Sequence, residues 1–280
     1  IDVMKHYIYI CSFVILLAAS SCDKLLDKEP TSQVSPEKYL NDASQLGYYA
    51  NGLYTNILPS HSGYSLTFVK DQYTDNQAYI TPHPIYIKDS WTVPANDSWN
   101  FKNIYDCNYF LERVLPRYEK GEVSGSTTEI CQYIGEVLFL RAYEYFDLYQ
   151  NYGDLPIVTN TLPDDQTVLT EASKRFPRNE VARFILSDLD KALEMMPEQF
   201  ESRHTRINRN CVLLLKSRVA LYEGTFLKYF KGTPFVPQGE GWPGAQKEYS
   251  ASYQCPLGGI DEEINWFLDP AITSSALLAD

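Results

Sequence analysis

The chain has 280 residues, 44% of them hydrophobic, and a formal net charge of −12. That hydrophobic share supports a folded core and excludes a disordered chain. An acid excess of this size excludes nucleic acid as a partner, because affinity for phosphate backbones comes from clustered basic side chains.

The pass along the chain begins at Met4, which reads as the start, with Ile1 to Val3 upstream of it. Lys5 supplies a positive charge, Tyr7 to Ala19 an apolar run, and Ala18-Ala19-Ser20-Ser21 small residues. This order over residues 1–21 is that of a secretory signal peptide. The run is too short to span a bilayer, which takes roughly 20 apolar residues. Cys22 follows at once, in the setting of a lipobox, where the thiol is acylated and becomes the new N-terminus. The usual Leu three positions before the cysteine is replaced by Ala19, with Leu17 two residues earlier. Acyl chains at Cys22 would hold the protein on a membrane, since each buried CH₂ contributes about 0.8 kcal/mol. Plain secretion with an incidental cysteine is the competing reading. Residues 22–36 form a polar tether with two prolines.

Ser35 as N-cap and Pro36 at the first helical position predict a helix start. Tyr39, Ala43, Leu46, Ala50, Leu53 and Ile57 continue it at spacings of three and four, and Pro59 ends it. Residues 60–97 are dense in Pro, Gly and Tyr and predict a long surface loop, a place where recognition residues gather. Helical periodicity returns over 99–117. Residues 129–149 are apolar around most of the circumference and predict a central buried helix that Gly153-Asp154-Leu155-Pro156 stops. A loop runs to Phe176-Pro177, then helices are predicted over 178–196, closed by Pro197, and from Asn208 through Phe226. From Thr233 the pattern dissolves into Pro/Gly-rich coil, and residues 274–280 read as the first turns of a further helix cut short. The expected fold class is all-α, a tetratricopeptide-like helical repeat with long irregular loops. Ala192 and Pro197 fit the repeat's spacing of a small residue and a closing proline.

Chemistry-bearing patterns are few. Cys107, Cys131, Cys211 and Cys255 form no C-x-x-C pair, so zinc is not expected, and they are read as buried free thiols. His6, His61, His83 and His204 make no metal-binding pair and flank no marked nucleophile. No phosphate-binding glycine loop and no singled-out carboxylate pair is present, so neither a cofactor nor an enzyme is expected. Glu136 and Arg141 are read as structural charges, Glu136 paired with Arg218 and Arg141 with Glu144 or Asp147.

Four blocks together resemble the SusD/RagB family of outer-membrane nutrient-binding lipoproteins. They are Cys22-Asp23 with Leu26-Asp27 and Glu29-Pro30; Trp99 with Ile104, Tyr105 and Asn108; Gly135-Glu136-Val137-Leu138-Phe139-Leu140-Arg141-Ala142 with Tyr145-Phe146-Asp147-Leu148 and Tyr152-Gly153-Asp154-Leu155-Pro156; and Asp188 to Pro197, Arg206-Ile207 and Lys216 to Tyr222. The resemblance covers about residues 22–230. Val137 stands where the family usually has Ala, and family members run much longer. The resemblance implies a helical domain over 37–232, the start of a second region over 233–280, and capture of glycans for a SusC-like TonB-dependent transporter at the outer membrane. It implies no covalent chemistry. A helical-repeat scaffold that binds only protein is the alternative.

Sugar recognition pairs an aromatic ring with the C–H face of a pyranose and polar side chains with its hydroxyls. The loop over 60–100 supplies both kinds. Trp91 leads, with Tyr73, Asp75, Asn76, Tyr79 and Asn96, and Tyr64, Tyr86 and Asp97 behind them. Trp99, at helical spacing to Ile104, is assigned to the core.

Overall fold

A computed structural model describes residues 39–60, 82, 86–90, 92, 100–200 and 205–279. The chain divides between Tyr39 and Leu40 into two units, and the fold described is that of the second. The signal peptide, Cys22 and the tether lie outside the described residues, as do Trp91, Tyr73, Asp75, Asn76, Tyr79, Asn96, Tyr64, Asp97 and Trp99.

The elements are α1 (Ala43–Ile57), α2 (Lys102–Glu119), α3 (Thr127–Tyr152), α4 (Gln166–Ala172), α5 (Arg178–Met195), α6 (Arg209–Phe230), a 3₁₀ turn (Pro243–Gln246) and α7 (Ile260–Ala279). The described residues contain no strand, only isolated bridges between Asp42 and Ser124 and between Leu155 and Phe176. The expected all-α repeat architecture is what the chain forms. Helices pack in succession: α1 and α2 on α3, α3 on α5, α5 on α6, α6 on α7.

α3 sits at the centre because it has no polar face to give to water. Ile134, Val137, Leu138, Leu140, Ala142, Phe146 and Leu148 are all buried. Gly153, at φ 71°, ends it by taking a left-handed conformation that most residues avoid. Gly135 lets α5 approach: a Cβ there would lie 2.5 Å from Met196 Cγ and 3.2 Å from the Ala192 carbonyl oxygen.

Three boundaries differ from the sequence expectation. α1 begins at Ala43, not after Ser35, because buried Leu40 takes φ 64° and Asp42 caps the helix, its Oδ1 accepting from Gln45 N at 3.0 Å. The loop after α3 contains α4, a helix with no buried residue and hence no apolar stripe to announce it. The segment expected as coil beyond Thr233 contains α7, which begins at Ile260 and continues past Pro270, so residues 274–279, expected as the first turns of a helix, belong to one already under way.

The buried charges also pair differently. Arg141 forks onto Asp188 of α5, Nε to Oδ2 at 2.7 Å and Nη2 to Oδ1 at 2.8 Å, and gives Nη1 to Asn108 Oδ1 at 2.8 Å. Glu136 accepts from Arg206 Nε at 2.7 Å and from Gln132 Nε2 at 2.8 Å. Arg218, Glu144 and Asp147 are not the partners; a desolvated charge takes its opposite from the helix or loop packed against it. The four cysteines are free, but Cys211 is exposed, contrary to the expectation of burial, while Cys107 and Cys255 are buried.

Candidate functional site

Two cavities among the described residues lie toward the C-terminal part of α3. The first, of about 340 Å³, lies between the start of α2 and the 156–162 segment and is apolar, lined by Phe101, Ile104, Pro156, Val158, Leu162 and Leu169. Its wall is pinned by Asn108 Nδ2, donating to Val158 O at 2.9 Å, and by Tyr145 Oη, accepting from Val158 N at 2.8 Å.

The second cavity, of about 570 Å³, is polar and rimmed by aromatic rings. It lies where the C-terminus of α3, the start of α5, the end of α6 and the 233–250 segment meet. Its floor is built from charges that the fold has already committed. Arg178, the first residue of α5, is buried; its Nη2 and Nε donate to Glu223 Oε2 at 2.8 and 3.0 Å. Tyr149 Oη also donates to Glu223 Oε2. Burial lowers Arg178 to about 10, so it stays charged at neutral pH. Burial, and then the nearby Glu263 carboxylate, push Glu223 well above the usual carboxylate range.

Asp154 joins the floor to the 233–250 segment. Its Oδ1 accepts from Arg178 N at 2.9 Å and its Oδ2 from Trp242 Nε1 at 3.0 Å. Trp242 is only 4% exposed, and its ring packs 6.1 Å from that of Tyr253. Burial raises the Asp154 carboxyl above its ordinary value, although the hydrogen bonds from Trp242 and Arg178 work the other way.

The walls are different: their rings face solvent. Phe235 is 63% exposed and Tyr249 44% exposed. Phe235 is held by an edge contact with Phe230 at 5.6 Å, and Phe230 packs on Phe226 at 4.4 Å. Phe226 in turn lies 3.4 Å beneath the Arg178 guanidinium. Tyr249 Oη accepts from Arg175 N at 3.4 Å. Gln150, Asn151, Arg175 and Lys247 complete the polar rim. The arrangement offers flat apolar faces and hydrogen-bonding side chains around one open space, which suits a ligand with both C–H faces and hydroxyls.

Among the described residues no group of three or more His, Cys, Asp or Glu side chains could hold a metal ion. Of the loop residues that the sequence marks for sugar binding, Tyr86 alone is described; it is 64% exposed and does not line this cavity. Sequence reasoning missed Phe235, Trp242, Lys247 and Tyr249. The signal that could have found them is the one used for 60–97: a long Pro/Gly-rich stretch carrying aromatics.

Residues 24–221 match the profile of a SusD-like family described as "Starch-binding associating with outer membrane". The chain belongs to that SusD-like family. It is 26% identical over 227 residues to SusD-like protein P38 of Formosa agariphila, covering 75% of this chain and 42% of that one. SusD-like protein P2 of the same organism is 25% identical over 248 residues, covering 85% of this chain and 47% of that one. A SusD homolog from Bacteroides thetaiotaomicron has the same fold, with a TM-score of 0.56 and 22% identity, covering 89% of this chain and 42% of that one. The chain therefore spans about half the length of the curated relatives it matches. No described helix is long and apolar enough to cross a membrane.

Proposed function

We propose that the chain belongs to an outer-membrane lipoprotein, anchored through Cys22, that captures glycans and passes them to a SusC-like TonB-dependent transporter. The observation that carries this reading is the exposed pair Phe235 and Tyr249 beside a polar cleft, in a chain of a family described as starch-binding. Phe235 is already held by the Phe230 ring and Tyr249 by its hydroxyl on Arg175 N, so both can bind a sugar face at little cost in side-chain entropy. The cleft is lined by a single carboxylate, Asp154, whose two oxygens both accept hydrogen bonds from the protein. Glycoside hydrolysis usually calls for two carboxyl groups flanking the bond, so this cleft favours holding a sugar over cutting it. Trp91, Tyr73, Asp75, Asn76, Tyr79 and Asn96 are proposed as a second contact region.

Electrophoresis of the protein through gels containing plant, host and microbial polysaccharides tests the reading. Retardation by at least one glycan, weakened in Phe235→Ala, is expected. A scaffold that binds only protein would migrate unchanged in every gel. Labelled palmitate is expected in the wild-type protein in cells and not in Cys22→Ala, and the transporter is expected to co-purify with the wild type.

A further inference from the structure

We infer that the polar cleft continues past Tyr249 into a third cavity that holds the next unit of the same glycan, so that the protein recognises at least two linked sugars; this rests on reading the cleft as a sugar subsite. The third cavity, of about 460 Å³, lies between the α4–α5 connection, the first turn of α5 and the stretch after the 3₁₀ turn. It shares Arg175, Tyr249 and Ser250 with the cleft, so the two spaces meet along those residues. At about 570 and 460 Å³, each has the volume of a pocket for one small ligand, about 300–1,000 Å³.

The third cavity repeats the composition of the cleft with residues of its own. Phe176 is 46% exposed although its backbone is fixed, its N donating to Leu155 O at 2.8 Å and its O accepting from Leu155 N at 3.2 Å. Glu180 and Ser252 supply groups for hydroxyls. Glu180 Oε1 accepts from Tyr253 Oη at 2.7 Å, and that hydroxyl accepts from buried Asn179 Nδ2 at 2.7 Å. The carboxylate is thereby held half-buried, while its Oε2 accepts from no described residue. A sugar hydroxyl donating to that oxygen makes a charge-assisted bond. Tyr249 is the element common to both spaces. Its Oη accepts from Arg175 N at 3.4 Å, and Lys174 Nζ lies 5.7 Å from its ring centre.

A linked ligand fits this layout better than two separate ones. Two free monosaccharides each lose their translational freedom, whereas a second unit joined to the first enters at an effective concentration set by the glycosidic link. A monosaccharide in the cleft leaves Phe176 and Glu180 unused. A chain that passes Tyr249 meets Phe235 in one space and Phe176 in the other. These two rings each line one space only, which makes the two subsites separable by substitution.

Calorimetric titration of the full chain with sugars of one to four units tests the inference, using α-1,4-glucose, β-1,3-glucose, β-1,4-xylose and β-1,4-mannose ladders. For at least one ladder, affinity is expected to rise about tenfold or more from one unit to the longer members. Phe176→Ala and Glu180→Gln are expected to remove most of that rise. Glu180→Gln keeps an acceptor for Tyr253, so it tests the subsite even if Phe176→Ala disturbs the fold. Phe235→Ala is expected to weaken every member, the single unit included. Tyr48→Ala, an exposed ring on α1 that lines neither space, is expected to bind as the wild type does. Melting temperatures equal to that of the wild type establish that the variants fold.

A longest member that binds Phe176→Ala and Glu180→Gln as tightly as the wild type overturns the second subsite. If Phe235→Ala still weakens that member, the reading of the cleft as a sugar subsite survives. Equal affinity for one unit and for four in every ladder that binds also overturns the inference. So does the absence of binding in all four ladders, while the wider polysaccharide panel continues to decide the subsite reading.

Discussion

A guanidinium shut away from water needs acceptors on every side, and Arg141 finds them in Asp188 and Asn108. Both side chains of the Arg141–Asp188 ion pair are almost wholly buried. Asp188→Ala therefore leaves an uncompensated buried cation, with an expected cost of about 3–5 kcal/mol. Arg141→Met together with Asp188→Ala is expected to cost clearly less than Asp188→Ala alone, because the orphaned charge is gone. Urea denaturation of the single and double variants measures both. Gly135 carries a second residue-scale prediction. The Cβ of Gly135→Ala would run into Met196 Cγ, which is close to its own backbone and has little room to move, so about 1–3 kcal/mol is lost. Adding Met196→Ala should cost less than the sum of the two single changes, since the clash disappears with the side chain. The structural character of Glu136 and Arg141 was legible from their place on an apolar helix. Their partners were not, because Asp188 and Arg206 lie 47 and 70 residues away along the chain. Helical spacing rules reach only three or four residues.

Helices announce themselves through apolar stripes and caps, and α1 shows how the two can disagree. Its stripe begins with Tyr39, but Leu40 adopts a left-handed conformation and Asp42, not Ser35, caps the described helix. Asp42→Ala is expected to cost about 1 kcal/mol, the usual value of an N-cap, read as a lower denaturation midpoint. Asp165 caps α4 in the same way, accepting from Val168 N at 2.9 Å. Because α4 buries nothing, Asp165→Ala should change global stability by less than about 0.5 kcal/mol. The positions of α2, α3, α5 and α6 were legible to within a few residues, since each buries a stripe or a whole circumference. α7 was not, although Ile264, Phe267, Ala271 and Ser274 recur at helical spacing and are all buried. Pro270 reads as a breaker because it removes a backbone donor. Packing along α6 holds the helix together regardless, which is where most helical stability in proteins arises.

At the scale of the molecule, the cleft exists only because four segments distant in sequence meet. Asp154, Arg178, Glu223 and Trp242 had no common motif to join them, so the all-α fold was foreseeable and this site was not. Asp154 makes the meeting point testable through pH. Its folded carboxyl binds a proton more tightly than an ordinary aspartate because burial penalises its charge, with Trp242, Arg178 and Arg175 only partly offsetting that. Between the ordinary value near about 3.9 and the raised one, the native state therefore holds more proton than the unfolded chain. The contribution of this group to stability is fully present below that window and is lost as pH rises through it. Asp154→Asn cannot ionise and lacks this slope. Other carboxyls raised by burial, such as Glu144 and Glu223, are common to both proteins and cancel in the comparison. The melting temperature of Asp154→Asn minus that of the wild type should rise as pH climbs from about 4, then level off above the raised value. A difference that stays flat across the whole range would mean that the hydrogen bonds and charges on this carboxylate cancel the penalty of its burial, and a difference that falls with pH would mean that they outweigh it.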